Sequence, residues 1–176
     1  MYSLSNPSTG CIRHVTIAVL AASTLVGTRA LADVPAAIAA PGQIQIALIH
    51  AQGAQIYECK AGEKGSLTWQ FREPVASLLE SGRTIGRHYA GPSWELDDGS
   101  RVTAKVVGRA PGASAGDIPL LRLEVSTNSG RGRLKDAVTI QRLNTKGGVA
   151  AGPCSTSGEL LSVPYSADYA VLRRAD

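Results

Sequence analysis

At 176 residues the chain supplies about one domain, long enough to bury a core without a metal staple. Its formal charge of +4 falls to +2 once Arg13 and Arg29 are set aside with an expected leader, and that balance gives no basis for nucleic-acid binding. Arg13 and His14 precede an apolar run from Val15 to Val26, and Ala30-Leu31-Ala32 follows as a small-residue cleavage site. That order predicts a secretory signal peptide over residues 1–32, cleaved after Ala32. The apolar run is about a dozen residues, short of the ~20 that span a bilayer, so no membrane span is expected after cleavage. Cys11 lies ahead of the run and is no lipidation site, and no paired arginines precede it, which fits general secretion to a periplasm or beyond the cell.

The mature chain divides into an Ala- and Pro-rich extended lead-in over 33–42 and a β-rich domain over 43–176. Ile44, Ile46 and Leu48 alternate with Gln43, Gln45 and Ala47, the period of a half-buried strand. Gln55–Cys59, entered from Gly53, is a second strand, and Trp69 and Phe71 flank Gln70 in a third. Pro74 to Glu80 reads as one or two helical turns, with proline tolerated at the start and Gly82 as the stop.

Trp94 and Leu96 alternate with polar neighbours up to Asp98-Gly99-Ser100, and Val102, Ala104 and Val106 alternate beyond it, so a hairpin is predicted. Residues 109–117 form a loop. Leu121, Leu123 and Val125 share one face of the next strand, and Ser126 to Gly132 is a polar loop. Val138 to Leu143 and Val163 to Leu172 supply the closing strands. With at most one short helix and recurrent turns, the fold class is all-β, a single-domain sandwich or barrel.

Removal of the leader leaves Cys59 and Cys154, 95 positions apart. In a compartment where disulfides persist, a Cys59–Cys154 bridge is expected, with two separate buried thiols as the alternative.

Four blocks carry a family likeness: Gln55-Ile56-Tyr57-Glu58-Cys59; His88 to Glu95 followed by Asp98-Gly99-Ser100; Ile140 to Thr145 followed by Gly147-Gly148 and Cys154; and Val163 to Tyr169. In this order they resemble an exported protein family of bacteria and fungi known as domain of unknown function 3455, over about Gly53 to Tyr169. Relatives often carry tryptophan where this chain has Leu120. The resemblance implies secretion and a cysteine pair; it brings no activity and no catalytic residues. Some fungal relatives carry malate-dehydrogenase names, but no Gly-x-Gly-x-x-Gly turn follows a strand here.

Imidazole, phenol, indole and carboxylate stand close together in His88, Tyr89, Trp94 and Glu95, on either side of a Gly91-Pro92 turn. His88, Tyr89 and Trp94 are candidate ligand-binding residues, since an imidazole can bond and an aromatic face can stack. The competing view is that the aromatics fill a core and His88 bonds to backbone. Arg142, in a polar stretch ending at Gly147-Gly148, is a candidate anion anchor; the plainer view is a buried arginine paired with an acid such as Glu95 or Asp168. Tyr165 and Tyr169 either line a groove or lock a terminal strand.

Asp97-Asp98-Gly99-Ser100 lacks calcium-loop spacing and reads as a turn. With no His-Glu-x-x-His or Cys-x-x-Cys, no metal or cofactor is expected. No Gly-x-Ser-x-Gly elbow positions a nucleophile. His88, Glu95 and Asp98 are the catalytic candidates that a hydrolase would use. The residues favour a non-enzymatic exported β domain that binds a small polar ligand or carbohydrate. A hydrolase using His88 with Glu95 or Asp98, and a purely structural or stress-associated protein, are the alternatives.

Overall fold

Among the described residues the alternating runs become eight antiparallel strands that close on themselves. The computed structural model describes residues 1–2, 34–62 and 65–176, so the expected leader and its cleavage site lie almost wholly outside the described residues. The strands are β1 (Gln43–Ala61), β2 (Leu67–Glu80), β3 (Arg83–Tyr89), β4 (Ser93–Leu96), β5 (Arg101–Ala110), β6 (Leu120–Ser129), β7 (Thr139–Gly147) and β8 (Leu160–Arg174). Each pairs with the next, and β8 returns to β1 from Gln43↔Arg174 to Glu58↔Leu160. The architecture is therefore an up-and-down barrel, which leaves no free sheet edge.

The helix expected over Pro74–Glu80 is instead the second half of β2. Ala76 and Leu78 are buried while Val75 and Ser77 are exposed, which is strand alternation. Pro74 is tolerated because β3 begins to pair with β2 only at Ala76, so no neighbour on that side needs a donor from residue 74. The two strands expected around Gly53 are one strand, β1. Gly53 is not a turn but a point of close approach: a Cβ there would collide with the Val75 carbonyl and sit 2.5 Å from Ala76 Cα.

The face of β1 also differs from its hydropathy pattern. Ala47, Ile49 and Ala51 point into the core, whereas Ile44 and Leu48 are exposed on the outer wall. A register shift between Gln45 and Ala47 reverses the parity at this point. The loop expected over Ser126–Gly132 begins later, because β6 continues to Ser129. The lead-in is more than an extended tail. Its Ala36–Ile38 segment forms a 3-10 turn with Ile38 fully buried. Gln141 Nε2 donates to the Ile38 carbonyl (2.6 Å) and Arg122 to the Ala39 carbonyl (3.0 Å), which fixes it to β6 and β7.

Cross-strand pairs of opposite charge decorate the outer wall, Arg87 with Glu95 and Lys105 with Glu124. The interior is apolar: Ile49, Leu78, Val102, Leu123, Ile140 and Val171 lie within one cluster. Charged outside and apolar inside is the reverse of a lipid-facing barrel. No helix among the described residues is long and apolar enough to cross a membrane.

The two ends of the barrel differ. At one end the β6–β7 loop folds inward and buries Leu134 completely. Asn128 Nδ2 donates to the Leu134 and Lys135 carbonyls, both at 2.8 Å, and Arg133 N donates to Asp98 at 2.8 Å. Arg133 also forms a two-bond fork with Glu80 at 2.6 and 3.0 Å. This end is plugged. At the other end lie the β3–β4 turn, the β5–β6 loop and the long β7–β8 loop. The last is tied to β1 by a Cys59–Cys154 disulfide with Cα atoms 5.8 Å apart. Cys59 N bonds Glu159 O and Gly158 N bonds Cys59 O, both at 2.9 Å, so the bridge sits in a short backbone ladder.

Candidate functional site

The barrel is packed around its plugged end and hollow towards the other. A cavity of about 550 Å³ opens there. An eight-stranded barrel has an interior just wide enough for side chains or one small ligand, so packing half of it and leaving the rest open creates a single-mouthed container. The cavity lies where the lower half's layers of Leu, Ile and Val give way to aromatic and polar side chains.

β3 and β4 supply its first feature. Pairing of His88 with Trp94 places both side chains on the inner face of the hairpin. Their rings stack with centroids 4.4 Å apart and planes 18° from parallel. Tyr169 of β8 packs against both, 4.9 Å from the imidazole and 5.2 Å from the indole, the latter edge-on. The hairpin turn needs its glycine. Gly91 has φ +132°, and a Cβ there would press on Ser93 Oγ, which bonds the Ala90 carbonyl at 2.8 Å.

His88 is 3% exposed, and its Nδ1 lies 2.8 Å from the Ser93 carbonyl. A carbonyl only accepts, so Nδ1 carries the proton and Nε2 remains an acceptor. Burial pushes the imidazole pKa down to about 4, against the opposing pull of the Ser93 carbonyl and with help from the nearby Arg142 charge. At neutral pH His88 is uncharged. Trp94 is 1% exposed, and its Nε1 is buried without a hydrogen-bond partner.

β7 supplies the second feature. Arg142 is 9% exposed, and its Nε donates to the Pro119 carbonyl at 3.0 Å. Burial lowers its pKa from the ordinary value, offset in part by the Tyr169 and Tyr165 hydroxyls. Among the described residues no carboxylate lies within ion-pair distance of it. The acids expected to pair with it are engaged elsewhere. Glu95 faces outward to Arg87 (3.0 Å) and to the Tyr89 hydroxyl (2.7 Å). Asp168 accepts from Asn144 (2.8 Å) and lies 2.8 Å from His50 on the outer wall.

The structure therefore separates the residues that the sequence grouped. His88, Trp94 and Arg142 line the cavity, as does Tyr169. Tyr89 does not: it is half-buried on the other face of β3, with Arg87 over its ring at 5.0 Å. Glu95 is held below the usual carboxylate range by the Tyr89 hydroxyl and then by Arg87, the opposite of a poised general acid. Asp98 sits in the β4–β5 turn at the plugged end. Its carboxylate accepts from Ser100 N (2.9 Å), Ser100 Oγ (2.6 Å) and Arg133 N. Partial burial raises its pKa, but these hydrogen bonds outweigh that and leave it lowered. The candidate catalytic trio of His88, Glu95 and Asp98 is thus spread over the inner wall, the outer wall and the far end. No group of three metal-ligating side chains occurs among the described residues.

Sequence reasoning missed further cavity residues, Gln55, Tyr57, Phe71 and Arg109 among them. Gln55 and Tyr57 stand two apart on β1 and so share a face, which was legible. Gln55 Nε2 is buried without a partner in hydrogen-bonding geometry, although the Tyr165 hydroxyl is near. Tyr57 donates to the Gly148 carbonyl at 2.6 Å and meets Phe71 edge-on, centroids 5.9 Å apart. Arg109, exposed at the mouth, follows a register shift in β5 that no periodicity shows.

The family described as "Protein of unknown function (DUF3455)" matches residues 40–173, all but the last residue of the barrel. No curated protein and no solved structure matches the chain.

Proposed function

The chain belongs to the DUF3455 family of proteins of unknown function, and we propose that it is an exported, non-enzymatic barrel that binds a small ligand in its interior. The observation that carries this is the single-mouthed cavity of about 550 Å³, within the size range of small-molecule sites and lined by apolar and aromatic walls with a few convergent polar groups. Export is supported by the leader pattern of residues 1–32 and by the Cys59–Cys154 bridge, which suits an oxidising compartment.

Two features favour binding over the alternatives. A hydrolase built on His88 needs an acid to orient the imidazole, and the imidazole bonds a backbone carbonyl instead. A purely structural barrel gains by packing its interior from end to end, and this one buries Trp94 Nε1 unpaired beside an open cavity.

A thermal-shift panel of organic acids, sugars and divalent ions tests the proposal. A ligand present at 100 times its dissociation constant adds about 2.7 kcal/mol to stability, a readable rise in Tm. Val106 lines the cavity, so Val106→Trp fills it and abolishes the shift. No shift across the panel, or a shift that survives Val106→Trp, would sink the proposal.

A further inference from the structure

Resting on that reading of the cavity, we infer that the occupant is a monocarboxylate on a flat apolar ring, its carboxylate gripped by the Arg142 guanidinium. The polar groups facing the cavity are unbalanced in sign. Three arginines line it, Arg72, Arg109 and Arg142, and no aspartate or glutamate does. Arg72 is neutralised by Glu73 at 3.3 Å and Glu58 at 3.9 Å. Arg109 is exposed at the mouth, placed to steer an anion rather than to bury it. Arg142 alone is deep and uncompensated.

A buried guanidinium is costly unless an anion shares its surroundings. The Pro119 carbonyl takes the Nε proton and the Tyr169 hydroxyl lies within reach of the guanidinium, which leaves further terminal N–H donors for a planar two-oxygen acceptor. A carboxylate matches that fork. The neighbouring unpartnered groups, Trp94 Nε1 and Gln55 Nε2, are donors as well. His88 Nε2 is an acceptor in the same wall. A neutral sugar presents as many donors as acceptors and suits such a donor-rich wall poorly. A multiply charged phosphate ester is disfavoured by a single buried cation and apolar surroundings.

The shape of the rest of the ligand follows from the walls. The stacked His88–Trp94 pair, with Tyr169 edge-on, makes a flat inner surface. Tyr57 and Phe71 form an aromatic lip, and Phe71 is 55% exposed although it is fully apolar. A ring system passing that lip would lie on aromatic faces while its acid reached Arg142.

Calorimetric titration of the disulfide-bonded protein at pH 7 with 2-naphthoate, 2-naphthamide and 2-naphthylmethylammonium tests the inference. The acid is expected to bind about tenfold or more tightly than the isosteric amide, and the ammonium not at all. Arg142→Gln removes most of the preference for acid over amide, while Arg87→Gln on the outer wall changes nothing. Equal binding of acid and amide overturns the carboxylate inference and leaves the cavity reading standing. So does an acid preference that survives Arg142→Gln in a folded variant. If none of the three binds while another compound gives a shift abolished by Val106→Trp, the ligand class is wrong and the container is right. If nothing binds in either experiment, both fall. Should Arg142→Gln fail to fold, the acid-versus-amide comparison in the native protein decides alone.

Discussion

A neutral imidazole locked inside the barrel should make folding stability depend on pH in a way that one substitution can isolate. His88 has its folded pKa pushed down to about 4 by burial, against 6.5 for the free side chain. Between those values the unfolded chain binds a proton at residue 88 and the folded chain does not. Stability therefore rises with pH across this window. The contribution is present in full above pH 6.5, falls away as the pH drops, and is wholly lost below about 4. The gap corresponds to ~3 kcal/mol at 1.36 kcal/mol per pH unit.

Other groups titrate nearby, so the comparison must subtract them. Glu80, Glu95, Asp98 and Asp117 all have lowered pKa values and weaken the fold as acid protonates them. His88→Gln keeps an N–H for the Ser93 carbonyl, does not titrate, and leaves those carboxylates unchanged. Urea denaturation of both proteins at steps from pH 7.5 to 4 should show the native protein losing ~3 kcal/mol more than His88→Gln, most of it between pH 6.5 and 4. The imidazole resonances of His88 should meanwhile stay in the neutral, Nδ1-protonated form down to about pH 5. A stability difference that is flat across the window, or an imidazole that protonates near 6.5, would falsify the placement of His88 as a buried neutral acceptor.

Further outcomes follow from the two ends of the barrel. Reducing Cys59–Cys154, or replacing both residues with serine, should cost about 4–5 kcal/mol in the chain-entropy account of a loop near 100 residues; denaturation midpoints with and without reductant measure it, and identical midpoints contradict it. Leu134→Ala removes the plug's only leucine, fully buried, and should cost ~2–5 kcal/mol with faster amide exchange at the plugged end. A loss under about 0.5 kcal/mol would mean the β6–β7 loop does not seal the barrel.

The hairpin around Asp98-Gly99 was legible because both its causes are local: an Asp-Gly pair with Gly99 at φ +82°, and period-two runs on each side. The face of β1 was not. Ile46 to Ile49 offers apolar residues at both parities, and the register shift at Gln45–Ala47 decides between them. The barrel's narrow bore decides further. It takes alanine at 47, 51, 76, 104 and 167, while larger Ile44 and Leu48 lie outside. Hydropathy ranks isoleucine above alanine, so a volume constraint set by closure reads as the wrong face. Closure itself depends on β8 meeting β1 across more than a hundred positions, which no local period reports. The helical reading of Pro74–Glu80 failed for the same reason: proline there is acceptable only because β3 starts pairing two residues later.

The site divides along the same line between local and distant causes. His88 and Trp94 face each other across a hairpin with a three-residue connection, which brings them together, and alternation alone sends Glu95 to the opposite wall. That parity already weakened any pairing of His88 with Glu95. Arg142 is different. Its character depends on where acids far away in the chain are held: Glu95 by Arg87 and Tyr89 on one side, Asp168 by His50 and Asn144 on another. Asn144 reaches Asp168 from a residue at φ +50°, within the register shift between Leu143 and Lys146. That local irregularity helps keep Asp168 on the outer wall while Arg142, two residues before Asn144, stays inside. A buried arginine whose candidate acids are held on the outer wall by other side chains is an arrangement that costs the fold stability when empty. It is accounted for when an incoming anion completes it, which is why the missing acid at Arg142, more than any residue present in the cavity, points to what the barrel holds.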